Sequence, residues 1–255
     1  MNIDWTIEKR DVDQVRTLVS SATEGRFTAS RIRDNVAPEY LPVFERGSFW
    51  RVMLGCLLTT QQRSGPDSSV TRFLGRRPFC PALDQCVEDT VEALVVQELT
   101  QFGGIRRGKT IAKQVRDNLI WLDAGGWEQI EHHFSLLLAQ RSRPPRTEDM
   151  GEEKNAADLL SNNLAGFGPK QSRNLWQWLG LTRYEIPLDS RVTRWLNDIF
   201  PFNISSLGLA DSSYYDFVMR GVHALCAQAE VLPCVLDAAI FASYDRDWAE
   251  EELEY

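Results

Sequence analysis

Two residues of this chain are of types that could do covalent chemistry together. Lys170 follows a Gly-x-Gly turn, Gly166-Phe167-Gly168-Pro169, and Asp189 lies nineteen residues further on. A neutral amine is a nucleophile toward an electrophilic carbon. A carboxylate beside it stabilises positive charge that develops on that carbon. Gly166 and Gly168 permit positive φ and a tight turn between two helices. They also leave backbone N–H groups uncovered at the start of the second helix, where a phosphate can be held without a basic side chain. Asp189 follows Ile186-Pro187-Leu188 and precedes Val192, Trp195, Leu196 and Ile199, so it is also a natural helix N-cap. Residue type and spacing alone leave two readings open. One is an amine and a carboxylate working beside a phosphate grip. The other is a plain turn with an exposed lysine and an aspartate that only caps.

The elements that must position these residues read as mostly helical. Phe49–Leu58 is a compact apolar run ending in Thr59-Thr60-Gln61-Gln62, and Ser68–Leu74 is a short helix. Val91, Leu94, Val95 and Leu99 share one face of a helix over Val87–Gln101, which Gly103-Gly104 breaks. Ile111, Ala112, Val115, Leu119 and Leu122 do the same for Lys109–Leu122, stopped by Gly125-Gly126. Trp127–Gln140 is a further helix, and Arg141–Asp149, with Pro144-Pro145, is the clearest linker. Ala156–Asn162 leads into the turn, and Asp189–Phe200, Asp211–Cys226 and Leu232–Tyr244 read as the last helices. Strand-like alternation is confined to Thr28–Val43, and no internal repeat stands out.

At 255 residues, 43% hydrophobic and 25% charged, the chain has the composition of a soluble protein able to bury a full core. No apolar run approaches the roughly 20 residues that span a bilayer. The N-terminus, MNIDWTIEKR, has no signal-peptide apolar region, which points to the cytoplasm, and to the nucleoid there if the source is bacterial or archaeal. Five cysteines with no CxxC favour neither a disulfide scaffold nor a zinc ribbon. His132, His133 and His223 lack ligand spacing, so no metal site is expected. The net charge of −8 argues against a broadly basic nucleic-acid surface. It hides basic clusters at Arg72–Arg77, Arg106–Arg116 and Lys170–Arg194, and acidic ones at Glu148–Glu153 and in the tail from Asp245 to Glu254.

Four segments in order carry a family resemblance. Leu164–Ser172, LAGFGPKQS, resembles the hairpin signature LPGVGxKTA of the helix-hairpin-helix DNA glycosylase (HhH-GPD) superfamily, that of endonuclease III and 8-oxoguanine glycosylase. IPLDSRV resembles the VDTHV segment of its second catalytic residue, with Lys170 and Asp189 on the nucleophile and carboxylate positions. LLTTQQ, ending in Gln61-Gln62, resembles the LLSAQ or LSQQT segment, whose glutamine enters the duplex. FGGIRRGKTIAKQV, Phe102–Val115, resembles the GLYNRKAKNI region. The similarity spans about residues 46–200. The sequence departs from the pattern at Ala165, where proline is usual, at Arg191, where histidine is frequent, and at Asn174, where eukaryotic 8-oxoguanine enzymes have cysteine. The four-cysteine pattern of an iron–sulfur cluster is absent.

The resemblance implies an all-α, two-lobed fold with the active-site cleft between the lobes. One lobe would be a helical bundle at 47–162; the other would combine 1–46 with 163–255. It implies a base-excision glycosylase with AP-lyase activity, in which Lys170 and Asp189 are catalytic. Gln61 and Gln62 would fill the gap left by a flipped base. Gly166, Gly168, Arg191, Arg107 and Lys109 would contact the DNA backbone. The partner would be double-stranded DNA bearing a modified base or abasic site, met by a monomer. No cofactor is implied beyond a monovalent cation at the hairpin carbonyls. Trp5, Phe241, Tyr244 and Trp248 are the aromatic candidates for the base pocket, and Trp176, Trp178 and Trp195 are expected in the core. Related proteins include monofunctional glycosylases, in which water attacks and the lysine only positions, and non-catalytic DNA-binding modules.

Overall fold

A computed structural model describes residues 5–62, 64–200 and 203–244. Among these there is no strand, and the architecture is twelve α-helices. The N-terminal pair is α1 (Lys9–Ala22) and α2 (Arg26–Asn35). The segment read as strand-like thus contains a helix. The reason is visible in what α2 buries: its Thr28 and Asn35 are the buried positions, not an apolar stripe. The Asn35 amide donates to the carbonyls of Gln177 and Thr182 at 2.9 Å each, so tertiary hydrogen bonds fix the helix in place of a hydrophobic face.

The middle of the chain forms α3 (Arg46–Leu58), α4 (Ser69–Leu74), α5 (Glu88–Phe102) and α6 (Gly108–Trp121). Ser68 caps α4 by accepting from Thr71 N at 3.1 Å. After them come α7 (Trp127–Arg141), α8 (Asp149–Asn163) and α9 (Pro169–Trp178). Gly125-Gly126 kinks the chain in place of opening a loop. Gly125 takes φ 104°, and α6 passes through one wide turn into α7. The last helices are α10 (Ser190–Ile199), α11 (Ser212–Ala229) and α12 (Pro233–Tyr244).

Two hydrophobic cores result. The first is built on α3, whose apolar residues from Phe49 to Leu58 pack with α4–α8, and it extends through Leu164, Phe167, Leu175, Trp176 and Leu181. The second gathers Val12 and Val15 of α1 with Ile186, Leu188 and the buried faces of α10, α11 and α12. The cores therefore part between residues 181 and 186, not at the expected boundary of 162. Helix α9 belongs by packing to the first core.

What crosses between the cores is polar. Arg141 is fully buried, and its guanidinium donates to the carbonyls of Gly180, Val36, Asp34, Ala37 and Tyr40 at 2.8–3.3 Å. Burial and the nearby Arg183 push it down to about 10, which leaves it charged at neutral pH. Arg183 in turn donates to the carbonyls of Asn35, Arg141 and Arg143. The stretch read as a linker therefore begins at an anchor.

Candidate active site

The segment from Leu181 to Leu188 lies outside any helix, bends at Arg183-Tyr184, is wholly buried, and delivers Asp189. Glu153 of α8 accepts the backbone N–H groups of Arg183, Tyr184 and Glu185 at 2.8–2.9 Å. Burial pushes that carboxyl up to about 8 against the pull of those three N–H groups. The Tyr215 hydroxyl donates to Ile186 O at 2.8 Å and accepts from Leu188 N at 2.7 Å. Asp189 then caps α10 as expected: Oδ1 accepts from Arg191 N and Val192 N at 2.8 and 2.9 Å. Its Oδ2 lies 3.1 Å from Arg191 Nη1.

Lys170 stands in the first turn of α9, half-buried. Its Nζ is held by one long hydrogen bond, 3.4 Å to Gln171 Oε1. Gln171 is itself fixed, donating to Cys56 O and Thr60 Oγ1 at 2.7 Å each. The Cys56 thiol sits close enough to feel the Lys170 charge, yet burial pushes it up to about 12, so it is not a competing nucleophile.

Lys170 and Asp189 line one cleft of about 150 Å³, walled by α2, α4, α9, α10 and α12 and by the loop after α3. Its apolar wall includes Phe241, stacked on Phe27 at 4.4 Å with an interplanar angle of 14°. Arg191 also turns into the cleft. Its guanidinium lies 4.1 Å from the Phe241 ring centroid and pairs with Asp189.

Two polar residues that sequence reasoning missed complete the lining. Asp237 of α12 is buried, and burial pushes its carboxyl up to about 7; Arg31 pulls it down, Asp189 pushes it up, and Gln177 and Lys170 pull it down. Gln177 of α9 is 1% exposed, and neither atom of its side-chain amide has a hydrogen-bond partner of good geometry among the described residues. The Asp237 carboxyl is its neighbour there. The only signal for either in the sequence is a polar residue inside an apolar helical run, as in CVLDAAIF.

The hairpin leads into α9 just before Lys170. Phe167 N donates to Leu164 O at 3.1 Å, closing a turn with Gly166 at φ 83°. Gly168 departs from expectation: its φ is −126°, ordinary extended backbone, and a Cβ there would meet nothing within 4 Å. Gly168 leaves open space beside the start of α9, not a left-handed turn.

Gln61 and Gln62 separate in role. Gln61 is exposed with φ 61°. Gln62 is spent within the protein: its Nε2 donates to Leu58 O at 2.6 Å and its Oε1 accepts from Arg106 N at 2.9 Å. Gln62 ties the Gln61 segment to the loop carrying Arg106, Arg107 and Lys109. Arg107 caps α6 in a left-handed conformation, and Lys109 is exposed. One arginine of each basic cluster is paired inside the protein, Arg76 with Glu98, Arg116 with Glu92 and Arg173 with Glu185.

Of the aromatic candidates, Trp5 packs on Phe200 and Phe217 away from the cleft, and Tyr244 pairs with Arg194. Trp176 is core, as expected, and Trp195 packs against the second core. Trp178 reaches the cleft wall. Trp248 and the tail from Asp245 lie outside the described residues. Among the described residues no group of three or more His, Cys, Asp or Glu is arranged to hold a metal, and no single helix is long and apolar enough to cross a membrane.

No family model matches the chain, and no curated protein matches it by sequence. Solved structures do match. The 8-oxoguanine DNA glycosylase of Thermotoga maritima superposes with a TM-score of 0.62 at 12% identity, covering 94% of this chain and 98% of that one. The 8-oxoguanine DNA glycosylase of Methanocaldococcus jannaschii does so with a TM-score of 0.58 at 13% identity, covering 91% and 92%. The chain therefore has the all-α fold of these glycosylases along nearly its whole length.

Proposed function

We propose that the chain is a base-excision DNA glycosylase with AP-lyase activity, acting as a monomer on double-stranded DNA that carries a modified base. The observation that carries this reading is the cleft itself. An amine, Lys170, and a carboxylate, Asp189, are delivered to it by two separately clamped segments, and Lys170 follows directly on a hairpin suited to a backbone phosphate. The matching fold raises the weight of that geometry without deciding the chemistry.

The N-glycosidic bond cannot be reached inside a duplex, so the nucleotide must be flipped out at a cost of a few kcal/mol. Gln61, exposed beside the basic loop, is placed to fill the vacated space. Lys170 Nζ attacks C1′ as the bond to the base breaks. The base leaves with the bonding pair and takes up a proton, and sugar-ring opening gives a Schiff base. Asp189 Oδ2 stabilises the positive charge on the sugar. Loss of the C2′ proton then expels the 3′ phosphate.

The cleft also suits one class of base. Its volume takes one planar heterocycle, and the Gln177 amide and the Asp237 carboxyl lie side by side in its lining. A carboxylate accepts from N–H groups, and an amide both donates and accepts. A guanine-type edge, with a carbonyl beside N–H donors, answers this set. Both matched structures are named for 8-oxoguanine, and oxidised guanine is the substrate proposed here. A panel of duplexes with oxidised, alkylated and deaminated bases tests it. Release of the oxidised purine above the others is expected. Preferential release of an alkylated or deaminated base would overturn the specificity, and release of no base from any duplex would overturn the glycosylase reading.

A further inference from the structure

Asn118 is fully buried in α6, on the same face as Val115 and Leu119. A buried amide has to be bonded, and this one spends both ends on a single residue of the hairpin. Its Oδ1 accepts from Ala165 N at 2.6 Å and its Nδ2 donates to Ala165 O at 3.2 Å, across 47 positions of sequence. Ala165 is the second residue of the Leu164–Phe167 turn, and Gly166 at φ 83° is the third. That is the pattern of a type II turn, in which the second position favours proline. Proline would bring no N–H. Alanine brings one, and Asn118 takes it. One turn earlier in α6, Gln114 packs on Gly166 so closely that a Cβ there would lie 2.6 Å from it. Helix α6 thus holds two successive residues of the hairpin, and its other end carries Arg107 and Lys109, seven residues or about 10 Å along the axis from Gln114.

We infer that Asn118 is a positioning residue. Its amide clamps Ala165, setting the hairpin's N–H groups against α6 and hence in register with the basic loop at its N-terminus. Asn118 touches neither the cleft nor Lys170, so it acts on the grip of the DNA backbone and not on the chemical step. The DNA part of this inference rests on the glycosylase reading; the clamp itself does not.

The test compares Asn118→Leu, Ala165→Pro and the double variant. Three quantities are measured: amide hydrogen exchange across residues 164–168 without DNA, Kd for a duplex with an uncleavable abasic-site analogue, and the single-turnover rate at saturating DNA. Asn118→Leu orphans the Ala165 N–H. It should speed exchange in the turn and raise Kd about tenfold, with the saturated rate within about twofold of wild type. Ala165→Pro removes the orphaned donor, so the double variant should bind within about threefold of wild type. An unchanged Kd in Asn118→Leu overturns the inference. So does a loss that Ala165→Pro does not rescue, since that would be a packing defect in α6. If Asn118→Leu does not fold, Asn118→Asp keeps the acceptor and loses the donor. It should then speed exchange and raise Kd about threefold, and no change in either overturns the clamp. If wild-type protein binds no duplex at all, the glycosylase reading fails, while the exchange measurement still decides whether Asn118 holds the turn.

Discussion

Asp189 divides its carboxylate between two duties. Oδ1 caps α10 and Oδ2 faces the cleft beside Arg191. Asparagine caps a helix about as well as aspartate but carries no charge. Asp189→Asn should therefore leave the melting temperature nearly unchanged, keep DNA binding, and lower turnover roughly 10²-fold. Unchanged turnover would reduce Asp189 to its capping role. Asp237 makes a prediction in pH. Its carboxyl is raised to about 7, so it is ionised, and able to accept from a base, only as pH rises through that value. Base excision should climb through about pH 7, and Asp237→Asn should flatten that limb. The sign for stability is opposite. A carboxyl with a raised folded pKa binds its proton more tightly in the native state. Its contribution is full below the unfolded value and is lost as pH rises through about 7, so Asp237→Asn should gain melting temperature relative to wild type at pH 8. Lys170, Asp189 and Gln61 were legible because each sits in a patterned segment. Gln177, Asp237 and Asn118 were not, since each is one polar residue on a buried helical face, and only folding shows what it meets.

At the scale of elements, the hairpin and α6 act as one piece. Gly166 needs its positive φ and its lack of a side chain, whereas Gly168 needs neither for folding. The pair of alanine substitutions separates fold from grip. Gly166→Ala should cost about 1–2 kcal/mol from the left-handed backbone alone, plus the clash with Gln114, and should weaken DNA binding. Gly168→Ala should leave the melting temperature unchanged. If a phosphate approaches the start of α9, it should still weaken binding, and equal affinity would place the phosphate elsewhere. The helices from α3 to α12 were largely legible because apolar residues recur at helical spacing. Helix α1 carries a similar signal in Val12, Val15, Leu18 and Val19. Helix α2 carries almost none, because Arg31 and Asn35 bond it to backbone carbonyls of the neighbouring segment. Its four cleft residues besides Phe27 are polar for the same reason.

For the whole molecule, the join between the two cores is a set of buried arginines, glutamate and carbonyls, with the cleft beside it. Arg141→Met would strip five carbonyls of their donor and should destabilise the protein by about 3 kcal/mol or more. Chemical denaturation would show this as a lower midpoint, and a loss under 1 kcal/mol would mean that water replaces the guanidinium. The charge of −8 also finds its place. Each basic cluster has an arginine paired internally, and the proposed grip on DNA uses backbone N–H groups together with one short basic loop. The central claim is that Lys170 is a nucleophile in this cleft. Borohydride reduction during reaction with a duplex containing 8-oxoguanine tests it most directly. A covalent protein–DNA adduct with the wild-type chain, absent in Lys170→Gln, is the predicted result. Base release with no trapped adduct, or an adduct that persists in Lys170→Gln, would contradict the account.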